Sequence, residues 1–250
     1  MDQLDKKQIQ SQVNDFFEVH IVDSTDSTND ALKRNSKHLS EGFVLIANNQ
    51  SKGKGRNGNS FSSPSDMGIY LSIYLKPDFN NSIKLTLISC LATAKTIEKL
   101  YGIKPGIKWV NDILINNKKV CGILCETSLI NEELDYAIVG IGINLHSYQM
   151  NEEIRDIAGC VEDFSDKYIS RNIFIGEMLN TFYDLYLNFD IEEYKKYSCT
   201  LNTEIKVIEP KETYLAKAID IDENGYLIVE RENKKFPLVS GEIHIRPQEK

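Results

Sequence analysis

The sequence predicts an α+β chain in which a mixed β-sheet flanked by helices is followed by a small β-barrel. Three observations carry this. Across the first 198 residues, runs with the period of a strand are interleaved with segments whose apolar residues recur at helical spacing. After Cys199 the pattern becomes five short apolar runs divided by Asn, Gly and Pro turns, the spacing of a small barrel. With 250 residues, 41 % of them hydrophobic, the chain is long enough to bury a sizeable core and a second, smaller one. The boundary is expected near residue 198, giving domains 1–198 and 199–250.

Composition excludes several classes of function. A formal net charge of −8 opposes non-specific binding to nucleic acid, so any anion site must be made locally. The N-terminus, MDQLDKKQIQSQ, lacks the apolar run of a signal peptide. No stretch approaches the roughly 18 apolar residues of a membrane span, so a cytoplasmic protein without membrane contact is expected. Five cysteines, odd in number and without a C-x-x-C pair, indicate neither a disulfide framework nor a zinc site.

Taken in order, residues 4 to 14 suit a short polar helix and Phe16 to Ser24 a strand. Ser27 and Asp30 fit a capping box opening the helix NDALKRN, and its exposed N–H groups and hydroxyls suit a small polar ligand. Phe43 to Asn49 reads as a buried strand that runs into Gln50 to Asn59, QSKGKGRNGN. There Gly53, Gly55 and Gly58 free the backbone, and Lys52, Lys54 and Arg56 concentrate positive charge in an acidic protein, an anion cradle. The loop also spells G-x-G-x-x-G, but a turn and a strand, FSSPSDMGIYLSIYLK, follow where a dinucleotide fold needs a helix. No Gly-Lys-Ser/Thr closes it as a Walker loop.

Residues 82 to 100 form an amphipathic helix with Gly102 at its C-cap position. Next comes KWVNDILINNKKVCGILCE, Lys108 to Glu126, read as a β-hairpin. Ile113 to Ile115 make one arm, Asn116-Asn117 the turn, and Val120 to Leu124 the other arm, which fixes Lys119 at the start of a buried strand. The apolar run ending at Leu145 is a strand whose Gly140 and Gly142 allow close approach to the backbone, with Asn144 as a polar tip. A polar segment leads to a second helix over 172–190, whose Phe174, Phe182, Tyr186 and Phe189 are assigned to the core.

Together these motifs resemble the biotin–protein ligases. The resemblance rests on an ordered set: DSTN (Asp26 to Asn29), Q-x-x-G-K-G-R-x-G (Gln50 to Gly58), Ser63-Pro64, Y-L-S (Tyr70 to Ser72), K-W-V-N-D (Lys108 to Asp112), K-x-x-G-I-L-x-E (Lys119 to Glu126) and G-x-G-x-N (Gly140 to Asn144). SGEIHIRP (Ser240 to Pro247) resembles the last strand of the family's C-terminal SH3-like barrel. The resemblance implies a mixed-sheet catalytic domain flanked by helices. It also implies a two-step reaction in which biotin and Mg-ATP give biotinyl-5′-adenylate and a carrier lysine then takes the biotinyl group.

By position in the motifs, Lys119 and Arg56 would be catalytic. Lys119 would meet biotin's carboxylate and the α-phosphate, with Lys54 and Arg56 closing over the adenylate. Ser27, Thr28, Asn29 and Gln50 would bind the ureido ring; Gly53, Gly55, Tyr70, Ser72, Gly122 and Gly142 would shape the biotin pocket. Asn111, Asp112 and Asn144 would face the nucleotide, Asp112 its Mg2+, and Phe61 would lie against the adenine. The implied partner is a biotin carboxyl carrier protein, an acetyl-CoA carboxylase subunit or similar carboxylase domain, and a homodimer is compatible with the resemblance. No DNA binding is expected, because the stretch ahead of Asp26 is too short for the winged helix-turn-helix some members carry. Val110 stands where the family usually has Pro, and Phe61 where many members have Trp. The rival reading is a lipoate or octanoate ligase or transferase of the same fold, in which the GKGRNG loop would not be expected.

Overall fold

The computed structural model describes residues 2–77, 82–152, 154–209, 212–239 and 242–245. In it the apolar runs of the N-terminal part pair into one sheet. Its strands are β1 (Glu18–Thr25), β2 (Phe43–Gln50), β3 (Gly68–Leu75), β4 (Gly106–Lys108), β5 (Asp112–Ile115), β6 (Lys118–Ile130) and β7 (Glu133–Asn144). They lie in the order β1-β2-β3-β7-β6-β5-β4. β1 and β2 run parallel and the other neighbours antiparallel, so the sheet is mixed. The parallel pair needs a crossover, supplied by the helix α2 (Thr28–Asn35).

Side-chain alternation divides the sheet into two faces. Val44, Ile46, Ile69, Leu71, Ile73, Ile123, Ile141 and Ile143 enter the main core with α3 (Ser82–Tyr101) and α4 (Arg171–Leu187). On the other face Leu45, Tyr74 and Ile138 pack against Leu32 of α2. Strand β3 is therefore covered on both sides, and all eight of its residues are buried. The turn between β5 and β6 falls at Asn116 and Asn117, whose φ values of 48° and 64° are those the primed hairpin turn demands. Gly102, at φ 76°, ends α3.

The last part is an antiparallel sheet in the order β11-β10-β9-β8-β12, consistent with an SH3-like barrel. Its strands are β8 (Glu204–Ile208), β9 (Thr213–Ile221), β10 (Leu227–Arg231), β11 (Lys234–Leu238) and β12 (Glu242–Ile245). Each of the five expected runs contains one. Ser240, Gly241, Arg246 and Pro247 of the SGEIHIRP segment lie outside the described residues. The buried Trp109 joins the two sheets: its Nε1 donates to the carbonyl of Gly225 at 2.9 Å and its backbone N–H to Thr200 Oγ1 at 2.9 Å. The Trp109–Val110 peptide bond is cis.

Some local expectations give way to longer-range contacts. Ser27 caps α2 by position but makes no side-chain cap hydrogen bond, and Asp30 pairs with Lys54, so the capping box does not form. The first helix, α1 (Lys6–Gln10), is shorter than residues 4 to 14, because Asp5 caps it by accepting from the N–H groups of Lys7 and Gln8. α4 stops at Leu187, and α5 (Ile191–Lys195) follows with its own Asp190 cap. Phe174 and Phe182 are fully buried, while Tyr186 and Phe189 pack at the core's edge.

Arg171 was not anticipated as a core residue, yet it is 0 % exposed. Its Nε donates to Asp2 Oδ1 at 2.9 Å, Nη1 to Asn48 Oδ1 at 2.8 Å, and Nη2 to the Asp2 carbonyl at 2.6 Å. A buried pair broken on one side leaves the other charge uncompensated, so Arg171→Met should cost about 3–5 kcal/mol of stability. Urea unfolding measures this, and an unchanged midpoint would show that the pair does not hold the N-terminal segment.

Candidate active site

Strand register builds the floor of the site. On the α2 face, Tyr70 of β3 lies opposite Gly142 of β7, Gly142 opposite Gly122 of β6, and Gly122 opposite Asp112 of β5. In the next row Ser72 pairs with Gly140 and Gly140 with Leu124. Three adjacent glycines thus strip side chains from the middle of a sheet face, and other groups fill the space. A Cβ on Gly142 would sit 2.7 Å from the Phe61 ring, and one on Gly140 would sit 2.4 Å from Asn29 Oδ1.

The wall over this floor is the start of α2. Thr28 N and Oγ1 donate to Gln50 Oε1 at 2.8 and 3.1 Å, and Gln50 Nε2 donates to Ser63 Oγ at 2.9 Å. Ser72, fully buried, lies 2.6 Å from both Thr28 Oγ1 and Asn29 Oδ1. The hydroxyls and amides of DSTN, Gln50 and the YLS strand therefore form one network, although 43 or more residues separate Ser72 from its α2 partners.

The glycine-rich loop folds back across the mouth. Gly55 N donates to the Asn59 carbonyl at 2.7 Å and Phe61 N to the Gly53 carbonyl at 2.8 Å, a narrow hairpin that Gly53 permits because a Cβ there would meet the Phe61 carbonyl at 2.4 Å. Its cations have protein partners. Lys54 Nζ lies 2.6 Å from Asp30 Oδ2, and Arg56 Nη1 donates to Asn111 Oδ1 at 3.2 Å. The Asp30 carboxylate raises the Lys54 pKa, so this ammonium stays charged throughout the neutral range. Lys119 Nζ lies 2.6 Å from Asp112 Oδ1, whereas Lys118 turns outward to the Arg155 carbonyl. The hairpin thus separates two adjacent lysines, one directed to the site and one away from it.

Two cavities adjoin here. One is lined by Ser27, Thr28, Asn29, Gln50 and the glycine floor, the other by Arg56, Lys108, Trp109 and Asp112; Gly55, Phe61, Asn111 and Lys119 line both. The first holds only about 40 Å³ of free space, room for a few waters. Phe61, expected against an adenine, lies over Gly142 and Gly122 and occupies that floor.

Ser27, Thr28, Asn29, Gln50, Lys54, Gly55, Phe61, Asn111, Lys119, Gly122 and Gly142 line the first cavity, and Arg56 and Asp112 the second. Four other predicted residues lie outside both linings. Gly53 shapes the loop; Ser72 supports α2 from below; Tyr70 donates to the Pro64 carbonyl at 3.0 Å beneath Phe61; Asn144 donates to the Gly159 carbonyl at 3.3 Å. Burial pushes the Tyr70 phenol and the Cys121 thiol well up, which keeps both neutral. Asp30, Gly140 and Glu126 were not assigned to the site. Gly140 was detectable as the glycine opening G-x-G-x-N, and Glu126 as the acid closing K-x-x-G-I-L-x-E.

The site thus joins a stripped floor in a mixed sheet to cations gathered at one end, with the C-terminal sheet packed beside it. Residues 21–144 match the biotin/lipoate A/B protein ligase family and residues 200–246 the biotin protein ligase C-terminal domain. The bifunctional ligase/repressor BirA of Bacillus spizizenii is 30 % identical over 90 % of this chain and 72 % of its own. The biotin–[acetyl-CoA-carboxylase] ligase of Mycobacterium tuberculosis is 25 % identical over 97 % of this chain and 96 % of its own. Biotin protein ligase from Aquifex aeolicus, solved with biotin and ATP, superposes with a TM-score of 0.80 at 29 % identity, covering 92 % of this chain and 98 % of that one. The chain belongs to the biotin protein ligase family.

Proposed function

We propose that the chain activates biotin with ATP and transfers it to one lysine of a biotin-dependent carboxylase, and that the two adjoining cavities divide the substrates. The observation that carries this reading is the position of Lys119 and Phe61 between the polar pocket of α2 and the cavity of Arg56 and Asp112. Biotin's ureido ring meets Ser27, Thr28, Asn29 and Gln50, and its carboxylate reaches Lys119. Oxygen of that carboxylate attacks the α-phosphorus, pyrophosphate leaves, and an acyl–phosphate anhydride remains. Negative charge gathers at the α-phosphoryl group in the transition state, and preorganised cations there are each worth on the order of 10²–10³ in rate. Lys119, Lys54 and Arg56 supply them. The acceptor lysine's amine then attacks the acyl carbon and AMP leaves.

Asp112 is the carboxylate suited to Mg2+. Among the described residues no cluster of three or more His, Cys, Asp or Glu is gathered for a resident metal. One carboxylate would hold Mg2+ that enters with ATP as part of the substrate. When bound, the ion would neutralise the leaving pyrophosphate, and Lys119 would be released from Asp112 to the reacting carboxylate. Among the described residues no helix is long and apolar enough to cross a membrane, and we place the reaction in the cytoplasm. The test is transfer of labelled biotin to a single lysine of a biotin carboxyl carrier domain; absence of transfer with ATP and Mg2+ present would overturn the reading.

Arg56 sits at the loop's tip, where closure over the adenylate would shield the anhydride from water. Arg56→Gly should therefore raise the rate at which adenylate escapes by a larger factor than it slows adenylate formation, for which one lost cation is worth on the order of 10²-fold. Release of labelled adenylate from enzyme without acceptor measures it, and equal effects on both steps would remove this role.

A further inference from the structure

The orientation of Asn29 is fixed from behind. Its Nδ2 donates to Glu126 Oε2 at 2.8 Å and to the Leu124 carbonyl at 3.3 Å. The other oxygen of Glu126 accepts from Lys33 Nζ at 2.5 Å. A carboxylate beside an ammonium is an acceptor only, so it can face the amino end of the amide and never the carbonyl end. Oδ1 is thereby turned over Gly140 at the floor of the first cavity, 2.6 Å from Ser72 Oγ.

The neighbouring protons are also taken. The Thr28 hydroxyl donates to Gln50 Oε1, whose amino end is held by Ser63. Ser72 has one proton for two acceptors, Thr28 Oγ1 and Asn29 Oδ1. Around Thr28 and Asn29 acceptors therefore outnumber donors. This wall is completed by a ligand that brings N–H groups, and a cyclic urea brings two.

We infer that Glu126 is a positioning residue for substrate selection: by locking the Asn29 amide with its oxygen toward the cavity, it makes this wall an acceptor for ureido N–H groups. The inference rests on the proposed biotin site. Glu126 lies outside both cavity linings, and its other oxygen is engaged by Lys33 Nζ.

The test is ATP–pyrophosphate exchange by the full chain with biotin and with desthiobiotin, which keeps the ureido ring. In Glu126→Gln the new amide can donate to Asn29 Oδ1 and invert it. KM for both ligands should rise about tenfold, the scale of one buried hydrogen bond, while KM for ATP and kcat stay within about twofold. Asn29→Asp, which sets two carboxylates together, should raise the same KM values. Combined with Glu126→Gln it should restore them to within about threefold of the parent, because the amide introduced by the one change then donates to the carboxylate introduced by the other and leaves an acceptor facing the cavity. A parent-like KM in Glu126→Gln would overturn the inference, as would a double variant no better than either single one. Failure of the parent chain to exchange with biotin would instead overturn the substrate reading on which it rests.

Discussion

Lys119→Ala is expected to slow adenylation about 10²-fold or more with the fold intact, because a preorganised cation at developing charge is worth that much. Lys118→Ala should leave the rate within about twofold of the parent. The contrast follows from strand geometry. Lys119 is half-buried and 2.6 Å from Asp112 at the junction of both cavities, while its neighbour faces the Arg155 carbonyl. Single-turnover formation of the adenylate separates chemistry from binding. Equal and small effects of the two changes would make both ordinary surface lysines.

Gly142→Ala is expected to raise KM for biotin about 10- to 100-fold, the range of overpacking by one added methyl in a filled site. The new Cβ would meet the Phe61 ring at 2.7 Å, a flexible group that can retreat, so the thermal midpoint should barely move. KM for ATP should change much less. Steady-state exchange with each substrate varied in turn separates these effects. An unchanged KM for biotin would mean that the ligand does not lie on the glycine floor.

Elements set by local chemistry were legible before the structure. Asn116-Asn117 between two apolar arms specifies a primed turn, and the turn sets Lys118 and Lys119 opposite Ile115 and Leu114; the register shift that follows, before Ile113, was not legible. The five runs after Cys199 announce themselves by turn residues at short spacing. Features set by contacts distant in sequence were not legible. The Ser27–Asp30 pattern reads as a capping box, but the ammonium of Lys54, 24 residues away, takes Asp30 from it. Arg171 looks like an ordinary helix-start residue until Asp2, 169 residues earlier, closes on it. β4 has three residues and pairs only because the hairpin brings β5 beside it, so no periodicity marks it. The glycine floor is intermediate. Gly122, Gly140 and Gly142 are visible one by one, but the patch they form depends on which strands are neighbours. The place of Phe61 over Gly122 and Gly142 was not legible for the same reason, since it too depends on which strands are neighbours.

The central claim is that this site activates biotin with ATP, and ATP–pyrophosphate exchange tests it most directly. Biotin, lipoate and octanoate are supplied in turn with Mg-ATP and labelled pyrophosphate. Exchange should depend on biotin and be absent with the other two acids, because the Ser27–Asn29 and Gln50 network is built of polar groups that a ureido ring can pair and an alkyl or dithiolane chain would leave unpaired. Exchange with lipoate or octanoate and none with biotin would contradict the account.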